Sequence, residues 1–133
     1  MAGIPDNVAL ASEFVVAPAG IVWTLVADVG GWGRLFPGWT ASVAVEDDRC
    51  SATGPNGERF DLYPQADDER LTLDVETVDE LGSADTLRLR VLSAGGGCFV
   101  VVAHGRLTGM PEAEWASKRD AVAAGLRDIG TLL

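Results

Sequence analysis

The chain has 133 residues, 47% of them hydrophobic and 23% charged, a profile that excludes disorder and fits one globular domain over 1–133, large enough to bury a core without disulfide or metal staples. Its 20 acidic and 10 basic residues give a formal charge of −10, which repels phosphate backbones and anionic bilayers, so neither nucleic acid nor a membrane is an expected partner. No apolar run approaches the ~20 residues of a membrane span, the first residues lack a signal pattern, and Cys50 and Cys98 stand far apart without metal or redox spacing; a cytoplasmic protein with reduced thiols is expected.

Residues 8–16 alternate, with Val8, Leu10, Phe14 and Val16 on one face and Glu13 on the other, which predicts a strand. Pro18 suits a helix start, and Ile21, Val22, Leu25, Val26 and Val29 recur at helical spacing, so a helix is predicted from about 18 to 29. Gly30 and Gly31 stop it, and 32–39 has room for one further helical turn before Pro37. Strands follow over 40–46, near 48–53 and over 58–63, the last two divided by the turn Gly54-Pro55-Asn56-Gly57.

Residues 70–78 place Leu71, Leu73 and Val75 opposite Thr72, Asp74 and Glu76, and 85–92 place Leu87, Leu89 and Val91 opposite Arg88 and Arg90. The intervening 79–83 makes these a hairpin whose acidic and basic sides face each other. A turn at 95–97 leads into an apolar strand over 98–107, covered on at least part of both faces or central in its sheet. Residues 112–132 form one long helix, with Trp115, Val122, Leu126, Ile129 and Leu133 in a stripe. Strands grouped between helices predict an α+β fold with helices on one side of an antiparallel sheet.

Templates for covalent or cofactor chemistry are missing: no GxSxG, no P-loop and no GxGxxG opening a helix. With a single histidine a zinc site is not expected, and no cofactor is implied. His104 is either a polar handle or acid–base group for a ligand, or a core histidine bonded to a backbone carbonyl. Arg119, four residues after Trp115 and three before Val122, either points inward to a ligand carboxylate or phenolate, or reaches the rim to pair with an acid.

Two stretches carry a family resemblance. APAGIVWTLVADVGGWGRLFPGW (17–39) resembles the entry into helix one and its short partner helix in the START-like, or SRPBCC, superfamily. GGGCFVVVAHGRLTG (95–109), with a tryptophan-bearing helix after it, is similar to the last strand and helix of heat-shock chaperone ATPase activator homologues. The superfamily also includes pollen-allergen-like proteins and polyketide cyclases. The resemblance implies a helix-grip fold: a curved antiparallel sheet of six or seven strands wrapped around the long C-terminal helix, with a short helical pair after strand one. It further implies an internal cavity for a small apolar or aromatic molecule, with Trp32, Phe36 and Trp39 at its entrance. Leu73, Leu89, Val100, Val102, Trp115 and Val122 are then expected to line it, with His104 and Arg119 as its polar groups. The function this implies is that of a carrier or sensor, monomeric or homodimeric. The alternatives are a polyketide cyclase/aromatase-type enzyme and a chaperone-activator-like interaction module.

Overall fold

The computed structural model describes residues 5–47 and 49–133. The first strand, β1 (Val8–Val15), leads into α1 (Ala19–Val26), a 3-10 turn at Val29–Gly31 and the single-turn α2 (Trp32–Leu35). Six strands follow: β2 (Ser42–Glu46), β3 (Arg49–Thr53), β4 (Arg59–Asp67), β5 (Thr72–Asp79), β6 (Ala84–Ala94) and β7 (Gly97–Gly105). The chain closes with α3 (Glu112–Arg127) and α4 (Ile129–Leu132). All seven strands form one antiparallel sheet in the order β1-β7-β6-β5-β4-β3-β2, with β1 and β2 at its edges. The helices bury one face of it, which gives the α+β helix-grip arrangement.

The buried face follows from strand alternation: Leu73 and Val75 of β5, Leu87, Leu89 and Val91 of β6, and Val100 and Val102 of β7 are all enclosed. They meet Val22 and Val26 of α1 and Val122 and Leu126 of α3 in one core. The opposite face is polar in its middle, where Asp74 accepts from Arg88 at 3.2 Å and from Arg90 at 2.9 Å, the charge pairing expected of this hairpin. These pairs are partly exposed, so they fix register more than they add stability.

The structure adds to these expectations and corrects one of them. In β1 the face bearing Val8, Leu10 and Phe14 is the solvent side, as is Val16 just beyond it, while Val15 is buried. The reason is that α3 packs across β1, and the small Ala9 and Ala11 on the inner side admit it where larger residues would not. Phe14 instead meets Phe99 edge-on across β7, with ring centroids 5.0 Å apart. β7 is an interior strand, one of the two placements expected of its apolar run, and Phe99 on its outer face is 44% exposed. Leu71 precedes β5 in a left-handed turn, φ 55°, and is partly buried against the same core as Leu73 and Val75. The last helix breaks at Asp128, and Leu133 is exposed.

The aromatic segment after α1 is part of the packed core. Trp32 and Phe36 are wholly buried, edge-on to each other at 5.2 Å, and Trp32 donates its indole N–H to the carbonyl of Val26 at 2.9 Å. Thr40 ties the segment down by donating to the carbonyls of Trp32 and Phe36. Gly125 of α3 makes this possible, since a Cβ there would collide with the carbonyl of Leu35 and the ring of Phe36.

Candidate functional site

A cavity of about 580 Å³ opens at the end of the grip where α3 begins. Its walls come from the β3–β4 turn (Pro55, Asn56, Glu58), the start of β4 (Arg59, Phe60), the end of β5 (Thr77, Asp79), Leu81, the loop Leu107–Pro111, and the first turns of α3 (Ala113, Glu114, Ser117, Lys118). Gly38 and Trp39 complete it. Trp39 and Phe60 lie nearly parallel, 9° apart with centroids at 5.7 Å, and form an aromatic wall. A partly enclosed apolar space with a few polar groups is the usual form of a small-molecule site.

The decisive polar group is Lys118, the single lysine of the sequence and only 3% exposed. Its Nζ donates to the carbonyl of Gly105 at 3.0 Å and lies 4.0 Å from Asp85. Gly105 also donates its N–H to Asp85 at 2.8 Å, and a Cβ on residue 105 would collide with that carboxylate. Two rings flank the ammonium, Trp39 at 4.8 Å and Trp115 at 5.7 Å from their centroids. Burial pulls the ammonium down from its usual 10.5 to about 8, against the opposing pull of Asp85.

Glu114 stands one helical turn before Lys118 and borders the same cavity. Burial, and then the neighbouring charges of Glu58 and Asp79, hold its carboxyl above the ordinary range. Two further polar atoms on residues of this wall have no hydrogen-bond partner among the described residues, the hydroxyl of Thr77 and Oε1 of Glu58.

His104 sits behind this wall, on the inner face of β7 and 4% exposed. Its ring is edge-on to Trp115 at 5.3 Å, and its Nδ1 is enclosed without a hydrogen-bond partner among the described residues. Burial, reinforced by the charges of Lys118 and Arg119, holds the imidazole neutral down to about 3. Arg119 turns to the rim: its side chain is 41% exposed, pairs with Glu112 at 3.6 Å and covers Trp115 at 5.3 Å. Trp115 donates its indole N–H to the carbonyl of Asp6 at 2.9 Å, which anchors the segment before β1.

Of the residues expected to meet a ligand, Trp39 alone is on the cavity wall. Trp32, Phe36, Leu73, Leu89, Val100, Val102, Trp115 and Val122 are fully buried in packed core, and His104 and Arg119 flank Trp115 outside the cavity. The cavity lies at one end, where α3 begins, and Trp32 and Phe36 belong to the packed core. Lys118 is the residue that the sequence reading missed. It lies three residues after Trp115 and four before Val122, so helical spacing offered it the apolar stripe as readily as it offered Arg119. Cys50 and Cys98 are free, buried and pushed up in pKa by that burial, so neither is poised as a nucleophile. Among the described residues no cluster of His, Cys, Asp and Glu is arranged to hold a metal ion, and no helix is long and apolar enough to cross a membrane.

No family model and no curated protein sequence matches the chain. Solved structures do. A Thermus thermophilus protein superposes with a TM-score of 0.71 at 19% identity, over 93% of this chain and 94% of its own. ZhuI aromatase/cyclase from a Streptomyces species gives a TM-score of 0.67 at 15% identity, over 92% of this chain and 94% of its own. The di-domain ARO/CYC protein BexL gives 0.61 at 24% identity, over 94% of this chain and 44% of its own length. At these identities the likeness is one of fold.

Proposed function

We propose that this chain, as a START-like domain, binds a small, largely apolar or aromatic molecule bearing one polar end in the cavity at the start of α3. The observation that carries the reading is the Trp39–Phe60 wall with the Lys118 ammonium against the same indole. The wall accepts a flat apolar body, and Lys118 supplies a donor for a hydroxyl, carbonyl or carboxylate. The role of polar partner that the sequence reading gave to His104 and Arg119 passes to Lys118. A carrier or sensor needs no more than this.

Titration with naphthol, followed by tryptophan fluorescence, tests it. Saturable quenching that is lost in Trp39→Ala and weakened in Lys118→Met supports the site. Quenching indifferent to both substitutions removes it.

A second reading, cyclase/aromatase-type chemistry, is favoured by the neighbouring Lys118 and Glu114, a candidate acid–base pair in one cavity. The fold likeness to ZhuI and BexL agrees with it. Enolisation of a bound polyketone would need a base at the ring-forming carbon and an acid at the carbonyl oxygen, and these two groups can fill those roles.

A further inference from the structure

Every cation of this chain but one is an arginine, and the single lysine is the one that is buried. A charge needed only to pair with Asp85 or to lie on an aromatic ring is served by arginine, which stays protonated and bonds carboxylates bidentately. What lysine offers in its place is an amine that can lose its proton and attack a carbon.

We propose that Lys118 captures carbonyl compounds as imines: the cavity takes an aldehyde or ketone whose apolar or aromatic body rests against Trp39 and Phe60, and Nζ condenses with its carbonyl carbon. This rests on the cavity being the binding site argued above.

The geometry supplies the parts. Lys118 lines the cavity, and its Nζ has one hydrogen-bond acceptor among the described residues, the Gly105 carbonyl, with Asp85 a longer 4.0 Å away. An ammonium so placed is poorly solvated, which favours the neutral, nucleophilic amine. A fall from 10.5 to about 8 raises the free-amine fraction near neutral pH by ~300-fold over an ordinary surface lysine. Glu114, one turn away on the same wall, is held toward its protonated form and can act as the acid.

The step balances without an oxidant or reductant. The Nζ lone pair adds to the carbonyl carbon, and a proton passes from nitrogen to oxygen to give a carbinolamine. Glu114 then protonates the hydroxyl, which leaves as water while the C=N bond forms. The carboxylate regains its proton from the resulting iminium nitrogen. The sum is amine plus carbonyl giving imine plus one water.

The test is reductive trapping. The full chain is incubated with naphthaldehyde and cyanoborohydride between about pH 6 and 11, and the adduct is located by peptide mass mapping. Lys118 and the chain's N-terminus are the only amines that can react. In parallel, naphthalenemethanol, which has the same ring and no carbonyl, is titrated by tryptophan fluorescence. The expected result is a reduced adduct at Lys118 whose rate has its pH midpoint near 8. Near neutral pH it should form at least about tenfold faster in the folded chain than in urea. Lys118→Arg should carry an adduct only at the N-terminus. If naphthalenemethanol binds but Lys118 stays unmodified, or reacts only with a midpoint near 10.5 as in the unfolded chain, the imine is overturned and the cavity reading stands. If neither compound engages the folded chain, both are overturned.

Discussion

The Nζ of Lys118 lies 4.8 Å from the ring centroid of Trp39, and the same indole lies parallel to Phe60 on the cavity wall. The ammonium therefore belongs to the site and to the core at once. Its placement costs the empty protein stability, and that cost has a pH signature.

Lys118→Met should leave the fold intact, and its stability relative to wild type should be most favourable near neutral pH, where the buried ammonium of the wild type is still protonated. The folded pKa of Lys118, about 8, lies below its unfolded value of 10.5. Between those values the unfolded chain holds a proton that the folded chain has released, so wild-type stability rises with pH relative to the mutant. Urea denaturation of both proteins across this window measures it. A gap that stays constant would mean the ammonium is solvated.

His104 gives the matching signature on the acid side. Its folded pKa of about 3 lies below the ordinary 6.5, so its neutral form favours folding above 6.5, and that contribution is lost as pH falls toward 3. The slope should approach ~1.4 kcal/mol per pH unit in the middle of that range. His104→Leu should lack this component and keep the one from the carboxylates. Acid denaturation of the two proteins should diverge as pH falls; parallel curves would place the imidazole in contact with water.

Arg119→Met should cost less than about 1 kcal/mol, since its ion pair with Glu112 is exposed on both sides. It should leave naphthol affinity nearly unchanged, whereas Lys118→Met weakens it. Equal losses from the two would return Arg119 to the ligand.

Gly125→Ala gains helix propensity, about 1 kcal/mol, yet drives a methyl into the Leu35 carbonyl and the Phe36 ring. Overpacking of this kind costs about 1–3 kcal/mol, so a net loss is expected in the denaturation midpoint. A stabilised variant would mean that the aromatic plug is loosely seated.

The fold was legible because strand alternation and helical spacing are local signals. Leu73/Val75 and Leu87/Leu89 set the apolar faces of β5 and β6 apart by alternation, whereas the inward face of 98–107 came only from the family resemblance, and Gly30, Gly57 and Gly96 marked where elements end. In β1 alternation separated Val8, Leu10 and Phe14 from Glu13 without fixing which face is inward; this edge strand beside a helix keeps the small Ala9 and Ala11 inward and leaves Leu10 and Phe14 outside. The site was legible only in part. Trp39 was visible as an aromatic next to a turn. Which of the adjacent Lys118 and Arg119 enters the core depends on where α3 meets β7, and no local pattern carries that.

The most direct measurement uses the fact that the chain has one lysine. Labelling lysine with carbon-13 at Cε gives a single NMR resonance for Lys118. The account predicts a titration midpoint near 8 and a shift of that resonance when naphthol fills the cavity. A midpoint near 10.5, with no response to naphthol, would place the amine in solvent and contradict both the buried cation and the site built around it.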